Sequence, residues 1–326
     1  MAQSPSDNSS EVLKITLSVD GKAVEETVNI ARIVVKKSVN RIPRAVISIL
    51  DGDMPSQEFK ISDTEDFIPG KKIEIGAGYG AQTEVIFSGI ITQHSIDIRG
   101  ENESTLIIEC KDEAVKMTVG RKNENYIKQT AGGAAIKDKT VISGIIGDYS
   151  GLSVKMAETT AELSGLVQYN ATDWDFMVSR AEANAMLVMV SDGVINIEPP
   201  DLTKAASLSL VYGDDIFSFN ASLDSLNQYK KVTSVGWDLA KHSVVEEPAT
   251  ANQDASSRGS KNGDLAKVVG LDNYRLQSQT PMAQQSLKEW AASEQLKSQL
   301  ALLTGVVRFQ GVASAAVGEM IELTGV

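Results

Sequence analysis

The stretch VLKITLSVDG, residues 12–21, sets the architecture of the chain. Leu13, Ile15, Leu17 and Val19 alternate with Lys14, Thr16 and Ser18, a period of two that puts the apolar side chains on one face of a strand. Asp20-Gly21 then supplies a tight-turn pair. Runs of the same texture recur at 31–35, 45–50, 71–76, 83–91 and 106–110. Breakers separate them: Asp51-Gly52-Asp53, Ile68-Pro69-Gly70, the glycines from Gly76 to Gly80, and Arg99-Gly100-Glu101-Asn102. Short β-branched runs at this spacing predict an antiparallel barrel or sandwich, placed at 11–118. Residues 1–10, MAQSPSDNSS, are small and polar and are expected to be a disordered tail.

After Thr118 the texture changes, and 119–200 reads as a small α/β domain. Residues 140–149 predict a short helix with Val141, Ile145 and Ile146 on one face. A second helix starts at Thr172, a good N-cap, with Asp175 completing an acidic variant of the capping box. Trp174, Met177, Val178, Ala181 and Ala185 form its buried stripe. Residues 187–190 and 194–197 read as a hairpin around Ser191-Asp192-Gly193, and Pro199-Pro200 closes the segment. Strand texture returns at 208–212, 216–223 and 229–239, so 201–326 is expected to be a second β-barrel. It carries a polar insertion at 241–280 and a helix at 281–304 that opens on Thr280-Pro281 and stops at Gly305. That helix has two apolar rows: Leu287, Trp290 and Ala291, then Ala292, Leu296, Leu300 and Leu303. The predicted fold class is therefore mainly β with an α/β insert, two tube-like antiparallel barrels flanking a small α+β domain.

Composition narrows the function. The chain has 326 residues, a length for two or three domains. Its net charge is −12, from 31 basic and 43 acidic residues. That disfavours a nucleic-acid partner and an electrostatic hold on anionic membranes. No apolar run approaches the length of a membrane span, so no membrane anchor is expected. The polar N-terminus carries no secretory signal, and one cysteine fits a chain made in a reducing compartment.

No catalytic constellation appears, and the protein is not expected to be an enzyme. Gly76-Ala77-Gly78-Tyr79-Gly80 lacks the sixth-position glycine and the following helix of a dinucleotide loop, and reads as a hairpin turn. Gly70-Lys71-Lys72 lacks the spacing and the Ser/Thr of a P-loop. The pairs Asp51/Asp53 and Asp214/Asp215 are read as solvated turn residues. Cys110 falls on an apolar strand position and reads as core. His94 and His242 are the only histidines, so no metal site is expected, and no cofactor either. Trp174 and Trp290 fit the apolar stripes of their helices, while Trp237 ends a strand.

Five stretches carry a resemblance. They are Asn40-Arg41-Ile42-Pro43-Arg44-Ala45 before Asp51-Gly52-Asp53; Phe67-Ile68-Pro69-Gly70 with Tyr79-Gly80 and Phe87-Ser88-Gly89-Ile90; Thr172-Asp173-Trp174-Asp175-Phe176 running on through Ser179 to Asn184; Ser234-Val235-Gly236-Trp237-Asp238; and the Trp290 helix leading into Gly305-Val306-Val307-Arg308-Phe309-Gln310-Gly311. Together, in this order, they resemble the VgrG-like spike family of contractile injection systems, also called Rhs element Vgr proteins. Trp174, Asp175, Phe176, Trp237, Trp290, Phe309, Gln310 and Gly311 are the motif residues expected to be structural. The resemblance implies a phage-hub-like region that forms a homotrimer with pseudo-sixfold symmetry. Such a ring adapts a hexameric inner tube to a threefold spike. It also implies baseplate proteins, a spike needle with its tip protein, and effector cargo as partners. It implies synthesis in the bacterial cytoplasm and delivery outside the cell or within an extracellular particle. Family members usually continue past the region of Val326 into the rest of the second barrel and a needle, so a shortened chain and a hub with its needle on another chain are both open readings. The competing reading from residues alone is a cell-surface- or glycan-binding tail component, with an unrecognised hydrolase as a third.

Overall fold

The computed structural model describes residues 4–5, 11–80, 83–100, 103–127, 136–163, 165–239, 241–250, 256–257, 260–278 and 281–326. The tail at 1–10, apart from Ser4 and Pro5, lies outside the described residues, as does part of the polar 241–280 stretch.

The first region is one seven-stranded antiparallel sheet. Its strands are β1 (Leu13–Val19), β2 (Lys22–Ala23), β3 (Ile30–Lys36), β4 (Arg44–Leu50), β5 (Lys72–Tyr79), β6 (Glu84–Arg99) and β7 (Glu103–Lys111). They lie in the order β2-β1-β5-β6-β7-β4-β3. Alternation decides which side is inside. Ala45, Ile47 and Ile49 of β4, Ile73 and Ile75 of β5, and Leu106, Ile108 and Cys110 of β7 are buried in one cluster with Phe67 and Phe87. No ladder joins β2 to β3, yet the sheet is curled. Laid flat, the two edges would stand about 29 Å apart at about 4.8 Å per strand. The six residues 24–29 that join Ala23 to Ile30 reach at most about 24 Å. The connection therefore requires the sheet to curve, and Phe67 from the β4–β5 connection packs into its inner face.

The α/β region follows a 3₁₀ turn at Glu113–Thr118. It contains β8 (Lys122–Ile127), α1 (Asp138–Gly147), β9 (Ser153–Met156), β10 (Gly165–Ala171), α2 (Asp173–Ala183), β11 (Leu187–Ser191) and β12 (Val194–Glu198). Strands β11, β12 and β9 form one sheet, with β12 and β9 parallel, and β10 pairs with β8. Ile142 and Ile146 of α1, Trp174 and Met177 of α2, and Val188, Ile195 and Ile197 of the hairpin make a second core.

The third region carries β13 (Leu208–Val211), β14 (Ile216–Leu223), β15 (Lys231–Asp238), β16 (Ser243–Thr250), β17 (Ser256–Ser257), β18 (Ser260–Lys261), α3 (Asn262–Val269), β19 (Asn273–Gln277), α4 (Gln284–Leu300), β20 (Leu303–Phe309) and β21 (Ile321–Thr324). Here the ladders are small: β13 with β21, β14 with β20, β17 with β18, and β15 between β16 and β19. The mainly β class with its α+β insert is as the sequence predicts. No ladder closes a barrel among the described residues, and β13·β21 and β15·β19 run parallel instead of antiparallel.

Three local expectations are corrected. The 241–280 stretch is not an excursion away from the fold: β16 pairs with β15 from end to end, and β19 flanks its other edge. Its polarity arises because β16 is an edge strand with an alternating exposed face, which reads as loop-like in composition. The last helix is shorter than 281–304: it starts after Ala283, which is extended and offers no side-chain cap, and it ends at Leu300 because Leu303–Phe309 is drawn into pairing with β14. Gly305 thus lies inside a strand, where an added Cβ would come within 2.6 Å of the Asn220 carbonyl. Finally, the buried face of α4 is Leu287, Ala291, Ser293, Gln295 and Ser298, and Ala292 and Leu300 are exposed. The opposing backbone explains this. Ser298 donates to the Asn227 carbonyl and Gln295 to the Tyr229 carbonyl. Buried carbonyls need donors, so polar residues win the positions that periodicity assigns to leucine.

Candidate functional site

Helix α2 is the joint at which the three regions meet. Its start follows local chemistry. Thr172 Oγ1 accepts from the Asp175 N–H at 3.0 Å, which satisfies one free amide of the first turn. Asp173 is 1 % exposed and accepts from Lys122 Nζ at 2.6 Å, the Tyr149 hydroxyl at 2.6 Å and Gln168 Nε2 at 2.9 Å. Burial pushes the Asp173 carboxyl up, but these donors outweigh it and hold the carboxyl below its ordinary range. The carboxylate also faces the positive end of the helix dipole.

The far end of α2 is held as firmly. Arg180 donates through Nε and Nη2 to the two oxygens of Asp138, at 2.6 and 2.8 Å, and Asn184 Nδ2 adds a third donor at 2.9 Å. Asp138 is 1 % exposed, so α1 is fixed to α2 by a buried, bidentate ion pair. Asn40, in the β3–β4 connection, reaches across from the first region. Its backbone N–H donates to the Val188 carbonyl at 2.8 Å, its Oδ1 accepts from the Val188 N–H at 2.9 Å, and its Nδ2 donates to Glu182 Oε1 at 3.0 Å. Asn40 thereby imitates a strand partner for β11, in a left-handed conformation (φ 57°) that asparagine tolerates better than most residues. From the third region, Ser293 Oγ of α4 donates to the Glu182 carbonyl at 2.6 Å.

A second bridge lies below α2. Asp112 accepts from the Ala114 N–H at 2.9 Å and from the Gly193 N–H at 3.1 Å, and burial pushes its carboxyl up. The Asp112 N–H itself donates to the Pro43 carbonyl at 3.0 Å. Asn40 alone therefore contributes three links between the first region and the α/β core, and the Pro43 carbonyl anchors Asp112 beside it.

The motif residues do not gather into one site. Trp174 and Phe176 are buried in the α/β core, where Phe176 stacks on Tyr126 with ring centroids 5.8 Å apart, and Asp175 is exposed. Trp290 is half-buried beside Arg180 and Asn184, lining a gap of about 230 Å³ between α2 and α4. Trp237 is exposed on β15, next to Gly236, whose missing side chain lets Leu287 of α4 approach. Phe309 and Gln310 are half-buried at the end of β20, and the Gly311 carbonyl accepts from the Tyr79 hydroxyl at 2.9 Å.

One member of each acidic pair, Asp51 and Asp215, anchors backbone, while Asp53 and Asp214 are exposed. Asp51 accepts from the backbone N–H groups of Ile61 and Ser62 and from the Ser62 hydroxyl, pinning the β4–β5 loop; burial pushes its carboxyl up, but these bonds hold it below the ordinary range. Asp215 is a buried acceptor for the Val211 N–H and Ser4 Oγ, not a solvated turn residue. Cys110 is fully buried, and burial together with Glu109 pushes its thiol up to about 12. His94 Nδ1 lies 3.1 Å from the Phe67 carbonyl within the sheet. Among the described residues, no group of three His, Cys, Asp or Glu converges on a metal-sized point, and no helix is long and apolar enough to cross a membrane. Sequence reading missed Asp138 and Asp112, because a lone aspartate beside a helix start looks like an ordinary cap.

No curated protein matches the chain. Solved structures do, at low identity. The 43 kDa tail protein of prophage MuSo2 from Shewanella oneidensis superposes with a TM-score of 0.63 at 14% identity, over 92% of this chain and 83% of that one. The tail protein from Neisseria meningitidis MC58 gives 0.63 at 12% identity, over 90% and 79%. Prophage tail protein gp18 from Listeria monocytogenes EGD-e gives 0.53 at 10% identity, over 95% and 84%. At such identities the likeness establishes a shared fold, that of phage tail proteins. The family model described as Alg8 N-terminal domain matches residues 9–326, nearly the whole sequence, and the chain belongs to that family.

Proposed function

We propose that this protein is a structural hub component of a contractile injection system, related to the VgrG-like spike proteins. In this reading three copies form a ring that adapts a hexameric inner tube to a threefold spike. Baseplate proteins, needle, tip and effector cargo are its further partners, and it works by transmitting force without catalysis. The tail-protein fold supports the setting. The observation that carries the assembly role is the state of the third region's strands. Tyr212, Phe217 and Val306 are 68 %, 64 % and 72 % exposed, and Ile321 and Leu323 of β21 are exposed too. These strands stand in two-stranded pairs, β13·β21 and β14·β20, which are marginal in water without further strands or a packed face. Exposed apolar strand edges invite pairing with another chain, and ring closure removes such edges.

Light scattering on the purified protein tests the reading. A mass of about 105 kDa, for three chains of 34.9 kDa, is expected. Val306→Asp should reduce the assembly to single chains while leaving the thermal midpoint of the first region in place. A 34.9 kDa particle at every concentration tested, or a Val306→Asp variant that assembles like the parent, would overturn the trimeric role.

A further inference from the structure

One row of the first sheet carries charge that the chain does not balance. Lys36 of β3 is opposite Arg44 of β4, and Arg44 is opposite Lys111 of β7. Alternation puts all three on the outer face, since their neighbours Ala45 and Cys110 point into the core. Three like charges in adjacent cross-strand positions, about 5 Å apart, repel one another. Arg41 in the β3–β4 connection adds a fourth. None of the four makes an ion pair or a side-chain hydrogen bond with the described residues, although the chain as a whole is at −12. They converge on an open cleft of about 760 Å³ between this sheet and α2. Its lining is mixed, with Ile42, Val115 and Val178 among the polar residues. The only acidic residue lining it is Glu182, which is already engaged by Asn40 and lies 3.8 Å from Lys297.

From this juxtaposition we infer that the cleft is the docking site for an acidic peptide segment of a partner protein, whose carboxylates pair with the Lys36–Arg44–Lys111 row. The spacing selects the partner's form. Carboxylates three or four residues apart on a helix stand about 5–6 Å apart, which matches the cross-strand spacing of the cations. Ile42, Val115 and Val178 in the lining receive the side chains between them. Phosphate-rich polymers fit less well, because the −12 charge of the chain repels a long polyanion on approach while a short acidic segment meets only the local positive field.

The test is fluorescence anisotropy with a labelled alanine-based helical peptide carrying glutamate at every fourth position, and its glutamine counterpart. The glutamate peptide should bind and the glutamine peptide should not, with affinity falling as salt is raised. The triple variant Lys36→Gln, Arg44→Gln, Lys111→Gln should bind the glutamate peptide about tenfold more weakly, since exposed charge pairs each contribute a few-fold. Its thermal midpoint should be equal or higher, because a repulsive row has been removed. Arg41→Gln, in a connection outside the ladder, should weaken binding by a smaller factor. Equal binding of the two peptides, undiminished binding by the triple variant, or preferential binding of inorganic phosphate or a single-stranded oligonucleotide at the cleft would overturn the inference.

Discussion

Arg180→Met should loosen the joint between α1 and α2 by a measurable amount. The substitution keeps the aliphatic stem and removes the guanidinium. Asp138, 1 % exposed, then loses two charge-assisted donors at 2.6 and 2.8 Å and keeps the Asn184 amide. Removing one partner of a buried ion pair costs about 3–5 kcal/mol, because the remaining charge stays desolvated. The arginine side chain is about one quarter exposed, and Asn184 remains, so the lower end, about 3 kcal/mol, applies. At about 2–4 °C per kcal/mol for a domain of moderate size, the midpoint should fall by about 6–12 °C. Urea unfolding followed by tryptophan fluorescence reads it directly, since Trp174 lies in the core that α1 and α2 share. The double variant Asp138→Leu/Arg180→Met removes both charges and should recover most of the loss. A single-variant loss under about 1 kcal/mol, or a double variant as damaged as the two singles summed, would refute the claim that this pair is buried and coupled.

Three further outcomes follow from the same structure. Cys110, with its thiol pushed up to about 12 by burial and Glu109, should resist iodoacetamide at mildly alkaline pH in the folded protein and react at once in urea, as mass spectrometry would record. Gly89→Ala should cost about 1–3 kcal/mol, because the new Cβ collides with the Lys111 carbonyl across the β6–β7 pairing; an unchanged urea midpoint would show that the strands can separate there. The Asp173 carboxyl is held below its unfolded value, so its contribution is present at neutral pH and is lost as pH falls through the folded value; Asp173→Asn should be less stable than the parent at neutral pH, with the gap closing in acid.

The first sheet was legible because its signal is local and repeated. Alternation in 13–19, 45–50 and 106–110 names the buried residues, and every one of Leu17, Ala45, Ile47, Ile49, Leu106, Ile108 and Cys110 is inside. The capped start of α2 was legible for a similar reason: Thr172 and Asp175 act within one turn. What was not legible depends on partners far along the chain. Nothing near Asn40 indicates that it will pair with Val188, and nothing near Ser293 indicates that the Glu182 carbonyl will face it. The α4 stripe failed for the same reason. Period alone favoured Ala292, Leu296 and Leu300, but the 227–229 turn presents the Asn227 and Tyr229 carbonyls, which accept from Ser298 and Gln295.

The contrast between the two β-rich regions is itself informative. Both carry alternating apolar residues, and both form strands where that pattern predicts them. In 13–111 the pattern builds a shared buried cluster, although Leu13, Ile15 and Ile98 stay exposed; in 208–223 and 303–324 it leaves Phe217, Val306 and Ile321 in solvent. Both regions draw on β-branched and aromatic residues, so residue type alone does not separate them. The difference is connectivity. The first sheet has seven strands and a six-residue link that requires it to curve, whereas β13·β21 and β14·β20 have two strands each. An apolar period left exposed among the described residues fits a face that is covered on assembly, and on the hub reading that cover is the neighbouring copies of the ring.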